Sequence, residues 1–478
     1  MVILFVSAGT AALAVLGGLH WYAWRRLVRD TTAGPGAVRR AGTAVFVAGP
    51  LLMIGAVASE RAGAPFWLQR TLSWPGFLWM AVALYLVLAL LAGEALRPVL
   101  RRAGERRAAA RRDPDGVTSP AVTASEGAGS HEGALPLPGA APPRNESAAA
   151  GPPPTPTGPP AAPPPPETSE RPEPAEAPGP TTPADSAASA GSAGSAGSTG
   201  DASSPSRRLF VSRVVGGAAA AVAVGTVGYG TYGVLRGPTV KRVTVPLARL
   251  PRSAHGFRIA VVSDIHLGPV LGRGFAQKVV DTINSTQPDL IAVVGDLVDG
   301  SVKNLGPAAA PLAQLRARHG SYFVTGNHEY FSGAEQWIRE VRELGIHPLE
   351  NARTELAGFD LAGVNDLQGE SEGQGPDFGK ALGGRDRTRA CVLLAHQPVQ
   401  IHEAVRHGVD LQLSGHTHGG QLWPGNFVAA ATNPTLAGLE RYGDTQLYVS
   451  RGAGAWGPPT RVGAPSDITV VELASRQA

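Results

Sequence analysis

Eight polar residues in the second half of the sequence are of the types that bind divalent metal ions or transfer protons. They are Asp264, His266, Asp296, Asn327, His328, His396, His416 and His418. Carboxylate, imidazole and amide oxygen without thiolate suit a pair of hard or borderline ions, and Mn, Fe and Zn all accept such ligands. Because one carboxylate can bridge two ions, these residue types predict a site for two divalent metal ions.

Such a site could act on phosphate esters. Two ions about 3.5 to 4 Å apart can convert a shared water into a hydroxide nucleophile at neutral pH, and they can neutralise charge on a phosphoryl group. Gly295, Gly326 and Gly415 stand beside three of the candidate ligands. A glycine lets the backbone approach a metal or a phosphate where a side chain would block it.

Short apolar runs that predict β-strands precede the first three clusters. The runs cover residues 259–263, 290–294 and 322–325, and they lead to Asp264, Asp296 and Asn327. Helices are predicted between them, near residues 273–286 and 311–318. The clusters are 32 and 31 residues apart, which matches one strand and one helix each. Parallel strands would therefore bring all three clusters to one carboxyl edge of a sheet.

Two later strands are predicted in the same way, at residues 391–395 and 411–413. The first ends at His396, and the second ends just before His416 and His418. One such cluster alone is more often a polar turn than a set of ligands. Five clusters that each follow a predicted strand are hard to explain as turns, because stability does not require such similar placement. We therefore expect five turns to converge on one rim.

Four apolar segments outside this region are candidates to cross a membrane. They cover residues 2–23, 43–59, 72–96 and 214–235. About 20 apolar residues span a hydrocarbon core. A cleaved signal peptide is the alternative for the first segment, although its arginines follow the apolar run instead of preceding it. A buried Gly/Ala-rich helix is the alternative for the last segment.

The region between the third and fourth segments has a different composition. Residues 113–206 contain no aromatic residue, and proline, alanine, glycine, serine and glutamate dominate. Because this composition cannot bury a core, we expect a disordered linker. The expected organisation is three transmembrane helices in residues 1–112, the linker at 113–206, a fourth transmembrane helix in 207–237, and the catalytic domain at 238–478.

Charge and cysteine content exclude several classes of protein. The chain has 42 Lys and Arg against 38 Asp and Glu, a formal net charge of +4. A nucleic-acid footprint requires a larger basic excess, so we expect no nucleic-acid partner. The single cysteine, Cys391, cannot form an intrachain disulfide or a cysteine-rich zinc site. Its place within an apolar strand predicts a buried structural thiol.

Arginine placement predicts a multi-pass protein of the cell membrane with a defined orientation. Arginines are numerous after the first segment, in residues 25–40, and after the third, in residues 97–112. Both loops should be cytoplasmic, because basic residues accumulate on that side. The loop between the second and third segments has only Arg61 and Arg70. Four crossings would then place the N-terminus and everything after residue 237 outside the cytoplasm.

The five clusters resemble the ordered motifs of the calcineurin-like metallophosphoesterase family: Asp-x-His, Gly-Asp-x-x-Asp, Gly-Asn-His-Glu, His and Gly-His-x-His. The resemblance covers about residues 252–478. Residues 327–330, 416–421 and 448–452 look most like a bacterial membrane-anchored subfamily. The resemblance implies an α/β fold, an αββα sandwich.

The resemblance also implies a role for each candidate residue. Asp264, His266 and His418 would hold one ion, Asn327, His396 and His416 would hold the other, and Asp296 would bridge them. His328 would protonate the leaving group as general acid, and Asp299 would orient its imidazole. Asn327 and His328 would also contact the substrate.

The leading hypothesis is a membrane-anchored hydrolase of a phosphodiester, phosphomonoester or lipid-linked pyrophosphate that uses a metal-bridging hydroxide. A lipid or an envelope precursor is a candidate substrate, because the tether favours substrates at the bilayer surface. A metal-dependent nuclease is one alternative, but the catalytic region lacks a long basic run and a series of stacking aromatic residues. A ligand-binding membrane sensor with an inactive phosphoesterase-like domain is another, and the full ligand set argues against it.

Overall fold

The computed structural model describes residues 2–112 and 207–477. The linker predicted at residues 113–206 lies outside the described residues. The described part consists of four long helices, which end at Leu235, and of an α/β domain that follows them.

The four long helices carry the apolar segments of the sequence. They are α1 (Val2–Trp24), α2 (Ala37–Arg61), α3 (Phe66–Arg112) and α4 (Arg207–Leu235). Among the described residues, three stretches are long and apolar enough to cross a membrane: Ala37–Arg61, Phe66–Leu96 and Leu209–Leu235. The apolar helices expected around residues 43–59, 72–96 and 214–235 are thus confirmed, and a crossing by α1 stays a prediction.

Helix α4 packs against α3. Ala223 and Val227 of α4 form a buried cluster with Ala81, Tyr85 and Leu86 of α3. Small side chains such as alanine allow two helix backbones to come close, and this favours association of helices within a membrane. The Gly/Ala-rich helix therefore has a packing partner that the sequence did not reveal.

The domain after α4 contains two six-stranded sheets. In spatial order, the first sheet contains β1 (Thr239–Leu247), β12 (Asp467–Ser475), β2 (Phe257–Val262), β3 (Leu290–Val294), β4 (Ser321–Val324) and β5 (His347–Pro348). The second contains β10 (Gly438–Tyr442), β11 (Thr445–Val449), β9 (Leu411–Ser414), β8 (Ala390–Leu394), β7 (Phe359–Gly363) and β6 (Ala352–Glu355). The helices are α5 (Arg273–Ser285), α6 (Val302–Ala309), α7 (Asn327–Ser332), α8 (Ala334–Glu343), α9 (Phe378–Leu382), α10 (Ile401–Arg406) and α11 (Gly425–Thr432).

Neighbouring side chains of each strand enter different layers, because they point to opposite faces of a sheet. Ile259 of β2 and Val392 of β8 belong to the core between the two sheets. Ala260 of β2 packs instead with helices of the first sheet's outer face. Leu393 of β8 packs with helices outside the second sheet. The order helix, sheet, sheet, helix confirms the predicted αββα fold class.

The strand directions bring the five clusters together. Strands β2, β3 and β4 are parallel neighbours, and their carboxyl ends lead to the first three clusters. Strands β8 and β9 are parallel in the second sheet, and their carboxyl ends lead to the last two. The rim that the sequence predicts at one sheet edge is therefore built from both sheets.

One helix lies elsewhere than the sequence pattern predicts. A helix is expected near residues 311–318, but α6 is earlier in the chain and a 3₁₀ turn follows it at Ala310–Gln314. Leu305 and Ala309 of α6 are buried in the core beside the first sheet, which fixes the helix at this position. Pro311 has no backbone N–H to donate and lies in the 3₁₀ turn that follows.

Candidate metal centre

The candidate ligands lie on turns with a rare backbone conformation. Eight non-glycine residues in the described part of the chain have positive φ, and five of them are candidate ligands: Asp264, His266, Asp296, His416 and His418. A positive φ is unfavourable for residues other than glycine, and such strain concentrates at functional sites. The turns thus hold their side chains in orientations that relaxed loops would not adopt.

Hydrogen bonds connect the turns to one another. The amide of His266 donates to the carbonyl of Asp296 over 3.1 Å. The amide of His416, from the second sheet, donates to the carboxylate of Asp264 over 3.1 Å. The amide of His328 donates to Asp296 Oδ1 over 2.9 Å. The candidate ligands are therefore part of the framework that joins the two sheets.

Gly295 and Gly326, which are next to candidate ligands in the sequence, leave space that the ligands need. A Cβ atom on Gly295 would lie 2.6 Å from His396 Nδ1, and one on Gly326 would lie 2.5 Å from the amide nitrogen of Asp296. Real Cβ atoms essentially never approach other atoms within 3.0 Å. A side chain at either position would therefore displace a candidate ligand.

The first group of ligands consists of Asp264, His266 and His418, all buried. Their ligand atoms lie within 4.8 Å of one another. Nε2 of His266 and Nε2 of His418 are 3.0 Å apart, and His418 Nε2 is 3.3 Å from Asp264 Oδ1. Two imidazole nitrogens and one carboxylate oxygen thus converge on a single point, which is the arrangement expected around a metal ion.

The second group contains Asp296, His396 and His416, again within 4.8 Å of one another. His396 Nε2 is 3.2 Å from Asp296 Oδ2, and Asn327 Oδ1 is 3.0 Å from His416 Nδ1. Asp296 Oδ2 is also 3.7 Å from His266 Nε2 of the first group. The structure therefore brings all seven predicted ligands together, with the carboxylate of Asp296 between the two groups.

The hydrogen bonds of the imidazoles fit metal coordination. His396 Nδ1 donates to the carbonyl of Val294 over 2.9 Å, and Nε2 of the same ring is buried without a hydrogen-bond partner beside Asp296. His266 Nδ1 lies 3.0 Å from the Asp299 carboxylate, which leaves Nε2 facing the first group. Ligating histidines commonly donate their second ring nitrogen to a carbonyl or carboxylate in this way. The residues present fit divalent ions.

The charges of the site favour cations. Burial opposes ionisation of Asp296, but the imidazoles of His396 and His266 outweigh it and lower the pKa of Asp296 to about 2. Burial also opposes ionisation of Asp264, but the neighbouring imidazoles, above all that of His418, lower the pKa of Asp264. Burial, assisted by the charge of His396, lowers the pKa of His416 to about 4. At neutral pH the carboxylates are therefore ionised and His416 is neutral, the forms that bind metal ions. Burial lowers the pKa of His396, but the charge and contact of Asp296 raise it well above its ordinary value, so a metal ion would replace a proton on this ring.

His328 and Asp299 form a pair at the edge of the site. His328 Nδ1 is 2.6 Å from Asp299 Oδ1, and the His328 ring meets the His266 ring edge to face at 4.7 Å. Burial lowers the pKa of His328, but the hydrogen bond to Asp299 and the charges of Asp299 and Asp296 raise it overall, to about 9. The imidazole of His328 is therefore protonated at neutral pH and lies beside the candidate ligands.

Asp299 contacts two imidazoles, whereas the resemblance assigns it one. Its Oδ1 is 3.0 Å from His266 Nδ1 and 2.6 Å from His328 Nδ1. One carboxylate thus orients a candidate ligand and the candidate acid together.

Two further residues support the site. Glu329 is buried, and its carboxylate accepts hydrogen bonds from the amides of Asp296, Leu297 and Gly326. Burial and the charge of Asp296 raise the pKa of Glu329. This carboxylate joins the turns after β3 and β4. Glu329 belongs to the Gly-Asn-His-Glu motif, which is the signal for it in the sequence.

Arg461 is a supporting residue that no motif in the sequence indicates. It is buried, and it donates to the carbonyl of His418 over 3.0 Å and to the carbonyl of Gly454 over 2.6 Å. Its Nη2 atom is 3.2 Å from His418 Nδ1. Arg461 therefore fixes the orientation of a candidate ligand from a loop 43 residues further along the chain. The only signal in the sequence is a basic residue within a segment rich in glycine and proline.

Comparisons with known proteins identify a family that matches this part of the chain. Residues 257–420 match the model of a family described as calcineurin-like phosphoesterase. A Danio rerio protein named "Transmembrane protein with metallophosphoesterase domain" is 39% identical over 259 residues, which are 51% of this chain and 59% of that protein. The chain thus spans about three fifths of the length of that relative.

Two bacterial relatives are matched over nearly their whole length. An "Uncharacterized metallophosphoesterase" of Aquifex aeolicus is 34% identical over 239 residues, which are 49% of this chain and 91% of that protein. A metallophosphoesterase of Bacillus subtilis is 30% identical over 284 residues, which are 56% of this chain and 98% of that protein. The similarity therefore covers about half of this chain and nearly all of each bacterial protein.

Proposed function

Because the chain belongs to the calcineurin-like metallophosphoesterase family, we propose that it is a membrane-anchored, metal-dependent hydrolase of phosphate esters. The proposed substrate is a phosphodiester, a phosphomonoester or a lipid-linked pyrophosphate. The proposed cofactor is a pair of divalent ions, with Mn, Fe and Zn as candidates.

One observation supports this function above all others. The carboxylate of Asp296 lies between two groups of ligands, 3.2 Å from His396 Nε2 and 3.7 Å from His266 Nε2. A carboxylate shared by two groups is expected where two ions act on one phosphoryl group. In this proposal Asp264, His266 and His418 would hold one ion, Asn327, His396 and His416 would hold the other, and Asp296 would serve both.

Bound ions would supply an activated water and would neutralise the charge that develops on the phosphoryl group. The protein's own part is to hold the ligands, to position the substrate and to deliver a proton. Since His328 Nδ1 faces Asp299, Nε2 is the atom that can protonate the leaving oxygen. Asn327 and His328, which begin α7, are the proposed contacts of the substrate phosphate.

A turnover screen of the full-length protein in detergent tests the function. With Mn added, we expect hydrolysis of at least one of three classes: phosphodiesters, phosphomonoesters and lipid-linked pyrophosphates. One class should be strongly preferred, because the loops around the rim restrict the shape of the substrate. Metal binding without turnover of any class would contradict the proposal and would favour a sensor.

We propose that the catalytic domain faces away from the cytoplasm at the end of a multi-pass membrane region. The supporting observations are the apolar helices and the arginines in the loops after the first and third segments. A reporter that is active only outside the cytoplasm should be active when it is fused after Ala478. The same reporter inserted in the loop near residue 33 should be inactive, and the opposite pattern would reverse the topology.

A further inference from the structure

A segment that follows the last candidate ligands is apolar and open to its surroundings. Residues 422–432 have the sequence Leu-Trp-Pro-Gly-Asn-Phe-Val-Ala-Ala-Ala-Thr and carry no charge. They include α11, in which no residue is buried. Trp423 is 49% exposed, Phe427 66% and Val428 70%. Exposed apolar side chains that are grouped together in this way mark an interaction site, whereas apolar residues scattered singly are normal on a protein surface.

This segment is attached to the apolar helices. The hydroxyl of Tyr85 in α3 donates to the carbonyl of Trp423 over 2.9 Å. Leu422 and Val462 pack against the cluster that α3 and α4 form with each other. Val227 of that cluster is about 12 Å along the helix from the end of α4. The segment therefore lies beside the parts of α3 and α4 that are long and apolar enough to cross a membrane.

The same segment is connected to the metal centre. Gln421 directly precedes it, and its side chain exchanges two hydrogen bonds with the backbone of Trp456, of 2.9 and 3.0 Å. The ring of Trp456 lies 5.5 Å from the ring of His328. Phe331, also exposed, lies 5.5 Å from His328 as well. Two exposed aromatic rings thus contact the candidate acid, and one of them is tied to the segment.

We propose that residues 422–432 are embedded in the lipid bilayer and that they place the metal centre at the membrane surface to act on phosphate esters carried by lipids. The bilayer is the expected occupant because the segment is uncharged and continuous with the apolar helices. Its exposed aromatic and aliphatic side chains suit burial at the boundary between headgroups and acyl chains. Trp456 and Phe331 would contact the apolar part of the substrate next to His328. The substrate class rests on the proposed function, whereas the embedding does not.

The reaction in this arrangement is hydrolysis. The bond between phosphorus and the oxygen of one alcohol breaks, and a bond between phosphorus and the water oxygen forms. The departing oxygen receives one proton from His328, and the attacking water releases one proton to solvent, from which His328 is protonated again. No oxidant, reductant or further reactant is required.

Fluorescence quenching tests the embedding independently of activity. Phe427→Cys and Val428→Cys would be labelled with an environment-sensitive fluorophore in the full-length protein and reconstituted into vesicles. Cys391 is the only native cysteine and is buried, so the unmodified chain serves as the labelling control. Val405→Cys, on α10 outside the second sheet, is the matched control position. Lipids with nitroxide groups on their acyl chains should quench the first two labels and leave the third unaffected.

Two synthetic esters test the substrate class. Methyl p-nitrophenyl phosphate is soluble, and hexadecyl p-nitrophenyl phosphate resides in vesicles, but both have the same leaving group. A Phe427→Ser, Val428→Ser double variant should lose about 10- to 100-fold in kcat/KM for the hexadecyl ester, because two apolar contacts with lipid are removed. Its kcat/KM for the methyl ester should be unchanged. A Val405→Ser variant should hydrolyse both esters as the wild type does.

The outcomes separate this inference from the proposed function. Labels at 427 and 428 that stay in water overturn the embedding. Labels that are shielded from water but are not quenched by lipid also overturn it, and they point to a protein partner. Equal losses for both esters, or no loss for either, overturn the lipid-borne substrate class. If the wild type hydrolyses neither ester but the labels are quenched, the proposed function is contradicted and the embedding is still supported.

Discussion

Replacing Asp296 with asparagine is expected to reduce hydrolysis of phosphate esters by about 10³- to 10⁴-fold, because ions that stabilise the transition state by several kcal/mol would be lost or misplaced. Asp296 is buried, its pKa is lowered to about 2, and its Oδ2 atom lies near histidines of both ligand groups. Asparagine keeps the size of the side chain but removes the negative charge. It can therefore fill the space without bridging two cations.

Turnover of methyl p-nitrophenyl phosphate by full-length protein with added Mn measures this effect. Asp281→Asn is the matched control, because it makes the same chemical change on the exposed face of α5. The control should keep wild-type activity. A thermal unfolding measurement of the Asp296→Asn variant shows whether the loss of activity is due to unfolding of the protein. A folded Asp296→Asn protein with activity within tenfold of the wild type would rule out a bridging role.

Replacing His328 with asparagine is expected to slow hydrolysis by about 10²- to 10⁴-fold for esters with a poor leaving group, since general acid catalysis contributes about that much. The loss should be much smaller for a p-nitrophenyl ester, because nitrophenolate departs without a proton. Asp299 raises the pKa of His328 to about 9, so the acid is protonated at neutral pH. Hydrolysis of the poorer ester should accordingly decline as the pH rises through this value.

The measurement compares methyl phenyl phosphate with methyl p-nitrophenyl phosphate for wild type and variant. His347 is exposed in β5, so His347→Asn provides a control with the same replacement. Equal losses on both esters would show that His328 positions the substrate and does not donate a proton.

The sequence predicted the strands that position the candidate ligands more accurately than the contacts around those ligands. Strand β3 begins and ends where the apolar run at residues 290–294 predicts, and β2, β8 and β9 agree within one or two residues. Continuous apolar runs identify buried strands, and polar turns at their carboxyl ends identify the rim. Asp264, Asp296 and His396 could be placed on this basis because their positions follow from local patterns.

Features that depend on contacts between distant parts of the chain could not be predicted. Arg461 reaches His418 from a loop with no regular pattern, and Asp299 serves two imidazoles instead of one. The hydrogen bond from the Tyr85 hydroxyl to the carbonyl of Trp423 joins residues 338 positions apart. Local periodicity contains no information on such pairs, because they arise only when the layers pack together.

The proposed two-ion centre is tested by a Mn titration of metal-stripped, full-length protein in which bound metal and turnover are measured together. If two ions act on one phosphate ester, hydrolysis should remain low with the first equivalent and reach its maximum at two ions per chain. The Asp296→Asn protein should not reach that maximum. Full activity with one ion per chain, or two bound ions without hydrolysis of any phosphate ester, would contradict a phosphoesterase that uses two ions.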